Sequence, residues 1–167
     1  TRNLPLALLA VAAFSQAGNG TGTCGGPPPV IEDDGFDLWC GSRLCAWNVE
    51  RGAIARVPTW AEGDPGVELI GDDVAIYQRS ETSVECIRFD LVADVEETAT
   101  VELEIDVLGD GSIDLVKQLP TTSWAPVSFR IGVDGIYQGM IFRLTKRGTG
   151  RAQLAQVEAE AAQDCTE

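Results

Sequence analysis

The sequence has no histidine and few basic side chains: 12 lysines and arginines face 26 carboxylates in 167 residues, a formal charge of −14. Without histidine the chain cannot build a Ser-His-Asp or Cys-His system or a His-ligated metal, which removes the commonest hydrolase and metalloenzyme designs. The excess of carboxylates repels phosphate backbones, so neither nucleic-acid binding nor adsorption to an anionic membrane through a basic patch is expected. No apolar run reaches the roughly 20 residues of a membrane-spanning helix, so no transmembrane span is expected. Enzymes that use only carboxylates, Lys or Tyr survive these filters. At this length a single domain with a substantial core is expected.

The N-terminus has a different composition from the rest. Residues 1–31 contain no acidic side chain, and residues 4–14 are an apolar run of eleven preceded by Arg2. A run of that length matches the apolar region of a secretory signal. Ser15-Gln16-Ala17 supplies small residues at the −3 and −1 positions of a cleavage site, so residues 1–17 are read as a signal-like segment. The mature chain is then expected to be exported, to the periplasm, the cell surface or the medium. A buried core helix is the competing reading, and Pro5 and the Gly-rich sequence that follows argue against it. Residues 18–35, rich in Gly, Pro, Thr and Asp, read as a flexible linker, and residues 36–167 as the domain. Cys24 offers a rival processing site, because bacterial lipoproteins attach lipid to such a cysteine. Its distance from Phe14 is longer than in their motif, but lipidating Cys24 would leave Cys40, Cys45, Cys86 and Cys165 as an even set. A lipid anchor therefore stays open. Asn19-Gly20-Thr21 is formally a glycosylation sequon.

From Ala46 onward the dominant pattern is alternation with period two, the signature of half-buried strands. Val101, Leu103, Ile105 and Val107 alternate with Glu102, Glu104 and Asp106, which predicts one buried face and one acidic, solvated face. Similar alternation marks Ile87, Phe89 and Leu91, then Val127, Phe129, Ile131 and Val133, then Met140, Phe142 and Leu144. Turn residues recur between and around them: Gly63-Asp64-Pro65-Gly66, Gly71-Asp72-Asp73, Gly109-Asp110-Gly111, Asp134-Gly135 and Gly148-Thr149-Gly150. Residues 151–163 suit a helix by composition, but a closing strand over residues 152–157 is preferred. The fold expected is all-β, a two-sheet antiparallel sandwich.

Candidate chemistry is sparse. In an exported chain the Cys40…Cys45 spacing reads as a small disulfide loop rather than half of a zinc site, since neither a second cysteine pair nor a histidine completes one. Cys40–Cys45 is the favoured pair, with Cys86–Cys165 left by default; four cysteines permit three connectivities. Asp106, Asp110, Gly111, Ser112 and Asp114 partly follow a calcium loop, but Leu108 and Lys117 occupy two ligand positions, and a hairpin turn explains the same residues. No metal ligand set or cofactor is assigned, although structural calcium through noncontiguous ligands stays open. Glu102, Glu104 and Asp106 stand about 7 Å apart along one strand face, within the range of glycosidase carboxylate pairs, yet nothing nearby supplies the desolvation that would split acid from base. No catalytic residue is assigned. Aromatic rings can stack on sugar faces, so Trp60, Tyr77, Trp124 and Tyr137 are the candidate ligand contacts. Trp60 is the foremost because Pro58, Glu62, Gly63 and Asp64 around it suggest a loop. For Trp47 and Trp124, each at a strand start, burial in the core is the preferred alternative.

A Trp-containing opening strand, Trp47-Asn48-Val49-Glu50-Arg51-Gly52, is followed by Trp124-Ala125-Pro126-Val127-Ser128-Phe129, Ile141-Phe142-Arg143-Leu144 and Leu154-Ala155-Gln156-Val157. This order resembles the extracellular jelly-roll modules of the carbohydrate-binding and galactose-binding-like type over roughly residues 46–160, and similar-looking domains occur in exported bacterial lipoproteins. The resemblance implies a binding or structural role more than catalysis, and the first expectation is a noncatalytic binding module with glycan or another surface polymer as partner. The alternative is a structural or assembly subunit that meets cell-envelope proteins. A carboxylate-only glycosidase ranks third.

Overall fold

The computed structural model describes residues 30–59, 65–82, 85–133, 139–162 and Cys165. The signal-like segment, Cys24, Trp60 and Tyr137 lie outside the described residues. A short hairpin, β1 (Trp39–Cys40) and β2 (Arg43–Leu44), is clasped by the Cys40–Cys45 disulfide. The remaining strands are β3 (Asn48–Pro58), β4 (Pro65–Arg79), β5 (Cys86–Val95), β6 (Thr100–Asp106), β7 (Leu115–Gln118), β8 (Thr122–Gly132), β9 (Ile141–Arg147) and β10 (Ala152–Ala161). The closing segment is thus a strand, as preferred over the helix that its alanines and glutamates would also suit.

All strand pairs are antiparallel, in the order β7-β6-β9-β4-β10-β5-β8, with β3 alongside β4. The long strand β4 makes this one sheet into two layers. Val67 and Glu68 pair with β10, whereas Asp73–Arg79 pair with β9. Gly71-Asp72-Asp73, expected to be a turn between strands, is instead a bend within β4 where it passes from one layer to the other. β3 follows the same corner through register shifts around Arg51. There Gly52 has φ +77°, and a Cβ would meet Val74 and the Asp73 carbonyl, so glycine lets the two strands bend together.

The layers meet through the alternating apolar residues. Phe89 on β5 stacks with Phe129 on β8 and meets Phe142 on β9 edge to face, both at 5.6 Å between centroids. The contact with Phe142 crosses the sandwich. Truncating Phe89 to Ala would cost about 3–5 kcal/mol at such a site. Trp47 is buried, with its indole N–H donating to the Asp33 carbonyl, which fits the core reading of this tryptophan.

The last residues of the segment read as linker belong to the fold. Val30 and Ile31 are buried, and the buried Gln78 amide holds Glu32 by both backbone groups: Glu32 N–H donates to Oε1 (2.6 Å), and Nε2 donates to the Glu32 carbonyl (2.8 Å). The Val157 N–H donates to the Asp34 carbonyl (2.7 Å), so this segment covers part of β10 that β4 leaves unpaired. A covered edge is protected from pairing with other chains. The Cys86–Cys165 disulfide ties the start of β5 to the C-terminal end.

Candidate functional site

The outer face of the layer β3-β4-β9-β6-β7 follows directly from strand alternation. Phe142 and Leu144 point into the core, so Arg143, Thr145 and Arg147 point out. By the same rule Ala75 and Tyr77 on β4, and Glu102 and Glu104 on β6, share that face. The register aligns Asn48, Tyr77, Arg143, Glu104 and Val116 in one row across five strands. Four strand spacings of about 4.8 Å make it about 19 Å wide. The adjacent row brings together Arg51, Ala75, Thr145, Glu102 and Gln118.

Ion pairs lace these rows. Arg143 Nε donates to Glu50 Oε2 at 2.6 Å, and its Nη1 lies 3.5 Å from Glu104 Oε2. Arg147 reaches Glu102 at 3.2 Å and Glu104 at 3.7 Å. Arg51 Nε donates to Asp73 Oδ1 at 2.8 Å, a bond that raises the guanidinium pKa despite some loss of solvation, with Asp73, Glu50 and Glu104 adding attraction. Arg143 is nearly enclosed, with 13% of its side chain exposed, whereas Arg147 keeps 58%.

This face is not the solvated acidic surface that alternation alone predicts. Glu104 is buried because two arginines of β9 flank it, and Asp106 is buried because its carboxylate turns back onto the chain. Asp106 accepts from the N–H groups of Gly109 (2.6 Å), Asp110 (3.2 Å) and Gly111 (2.7 Å), while Asp114 accepts from Val107 N–H (2.8 Å). These bonds build the β6–β7 connection, as the hairpin reading of Gly109-Asp110-Gly111 anticipates. Among the described residues no group of three His, Cys, Asp or Glu side chains is placed to hold a metal ion.

The structure separates the candidate aromatics. Tyr77 is half-buried beside Arg143. Trp124 is half-buried on β8, the edge strand of the opposite layer, where the register skips it between Ser123 and Ala125. It forms a β-bulge with φ +50°, a strained value for a bulky residue. Tyr77 and Trp124 therefore cannot form one stacking platform. Among the described residues the exposed large apolar side chains are aliphatic.

Sequence reasoning missed Arg143, Arg147, Thr145 and Glu50. The alternation in Ile141-Phe142-Arg143-Leu144-Thr145-Lys146-Arg147 would have put Arg143, Thr145 and Arg147 on one face. Their facing β6 needs the topology.

A second concavity, of about 190 Å³, lies between the N-terminal segment and β10, lined by Asp34, Gly35, Asp37, Ala155 and Gln156. On β10 the Glu158 carboxyl has its pKa raised, first by burial and then by Glu160, Asp34 and Asp90, with Arg88 opposing. This hollow has no aromatic lining, and only acidic side chains carry charge there.

No family model and no curated protein matches the chain. Solved structures do. TmCBM61 in complex with beta-1,4-galactotriose aligns with a TM-score of 0.59 at 15% identity, over 80% of this chain and 99% of that one. The chain has the fold of a carbohydrate-binding β-sandwich module. Family 16 Carbohydrate Binding Module-2 gives 0.60 at 12% identity, over 78% of this chain and 99% of its own. The enzymatically active domain of Bacteriophage CBA120 tailspike protein 4 gives 0.61 at 9% identity, over 80% of this chain but 21% of that one. At these identities the likeness establishes the fold, and function has to be argued from the site.

Proposed function

We propose that this domain is a noncatalytic, extracytoplasmic module that binds glycan through the outer face centred on Tyr77 and Arg143. The observation that carries this reading is the ladder of arginine–carboxylate pairs beside Tyr77, on a fold shared with carbohydrate-binding modules. Guanidinium groups donate and carboxylates accept, so the row offers both halves of what sugar hydroxyls need. The Tyr77 ring adds apolar area next to them. Among the described residues recognition rests on hydrogen bonding first, because Tyr77 and Trp124 lie on opposite layers and share no stacking platform.

The absence of chemistry is argued from the same groups. Glu50, Glu102 and Glu104 are each engaged by an arginine, so none stands free as nucleophile or general acid. The bridges Cys40–Cys45 and Cys86–Cys165 support an oxidising compartment and hence export. Cleavage after Ala17, or lipidation at Cys24, is the proposed route, checked by the intact mass of natively expressed protein.

The alternative, an assembly subunit, is favoured by one observation. Leu108, Ile113 and Val116, on the β6–β7 connection and on β7 itself, are all exposed, and β7 ends its layer. Exposed apolar side chains beside an open edge suit a protein partner. A glycan-array screen of the full chain, with and without calcium, separates the two. Retention of glycans without turnover is expected, and a blank array alongside stable association with an envelope protein would favour the alternative.

A further inference from the structure

Thr145 stands in the centre of the outer face, fully buried, and its Oγ1 has no hydrogen-bond partner among the described residues. A buried hydroxyl left unsatisfied is costly, and native folds seldom keep one without reason. Its row neighbours are Ala75 and Glu102, and its strand neighbours on the face are Arg143 and Arg147. Ala75 is also buried, so two small residues form a floor beneath the long charged side chains. Among the described residues, Asp33 Oδ2 is also buried without a partner, but it differs because its sister Oδ1 already accepts from the N–H groups of Asp37 and Leu38.

The two arginines over this floor are held unequally. Arg143 is enclosed and short-bonded to Glu50, so it is fixed. Arg147 is mostly exposed, and its contacts with Glu102 and Glu104 are 3.2 and 3.7 Å. With its guanidinium open to solvent, the Arg147–Glu102 pair contributes little and breaks readily, and Glu104 keeps Arg143 as partner when Arg147 leaves. Resting on the glycan reading above, we propose that Thr145 Oγ1 is the specificity contact for a hydroxyl of a neutral sugar, reached when Arg147 swings off the two glutamates. The incoming hydroxyl accepts from Thr145 Oγ1–H and donates its own proton to one of the two glutamates, while neighbouring sugar hydroxyls take up Arg147 and the other carboxylate. A uronic acid is disfavoured, because its carboxylate, in pairing with Arg147, would leave Glu102 and Glu104 beside it in a protein of charge −14.

The test uses the full chain. An array spanning neutral and uronic-acid glycans selects the best ligand, and isothermal titration compares wild type, Thr145→Val and Thr145→Ser. Valine keeps the shape and removes the hydroxyl, so affinity is expected to fall about tenfold while the melting temperature holds or rises. Serine restores the hydroxyl and is expected to recover most of the affinity. Equal affinity for Thr145→Val and wild type would overturn this assignment and leave the glycan reading standing. Stronger binding of uronic than neutral glycans would overturn the neutral-sugar specificity. A wild type that retains no glycan would overturn the glycan reading itself. Should the valine variant melt lower, the serine variant decides: weak binding by a stable Thr145→Ser also overturns the assignment.

Discussion

Glu158 shows how one outward side chain on a crowded strand sets a pH response. Its carboxyl is raised above the ordinary 4.5, chiefly by burial and then by Glu160, Asp34 and Asp90. The folded state therefore binds this proton more tightly than the unfolded chain does. Its contribution is present in full below the unfolded pKa and is lost as pH rises through the raised value. At neutral pH the ionised group opposes the fold. Glu158→Gln should accordingly melt higher than wild type at pH 7, with the gain vanishing near pH 4, as thermal scans at both pH values would show. Gly148 is constrained differently. It has φ +91°, and a Cβ there would collide with the Thr98 carbonyl. Gly148→Ala should cost about 2–3 kcal/mol, read as a lower urea midpoint with an unchanged m-value.

At the scale of elements, the two disulfides differ in what they constrain. Cys86 and Cys165 are 79 residues apart in sequence and Cys40 and Cys45 only 5. The chain-entropy model gives about 4.5 kcal/mol for the long loop and about 2 kcal/mol for the short one. Replacing Cys86 and Cys165 by Ser should thus destabilise roughly twice as much as replacing Cys40 and Cys45, in equilibrium urea unfolding. The strands themselves were legible. Val101 to Val107 and Val127 to Val133 alternate cleanly because each lies between a core and an outer face, whereas the closing strand at Ala152 was only a preference, since its alanines and glutamates suit a helix as well. The corner in β4 was not legible, since Gly71-Asp72-Asp73 has turn composition whether the chain reverses there or only bends. The burial of Glu104 was hidden for another reason. Strand alternation tells which face a side chain takes but not which strand lies beside it, and β9 supplies Arg143 and Arg147 from about 40 residues away. The pairing of Tyr77 with Arg143 was hidden likewise, and it matters more to the site than any single motif.

At the scale of the molecule, charge and fold point the same way. A net charge of −14 disfavours polyanions and so fits a neutral polymer as the partner proposed for the outer face. Binding of a neutral glycan should therefore depend only weakly on salt, because the ligand releases no counterions and the Arg147 pair with Glu102 that binding breaks is worth little. Affinities that agree within about twofold between 0.05 and 0.5 M NaCl are expected. The central claim concerns which face binds, and the two described aromatic candidates lie on opposite layers. Calorimetric titration of the array-selected glycan into wild type, Tyr77→Ala and Trp124→Ala, each first shown to melt cooperatively, tests it directly. Tyr77→Ala is expected to lose about three- to tenfold in affinity, the scale of one aromatic contact, while Trp124→Ala binds as wild type does. Loss of binding in Trp124→Ala with Tyr77→Ala unaffected would contradict it and move the site to the opposite layer.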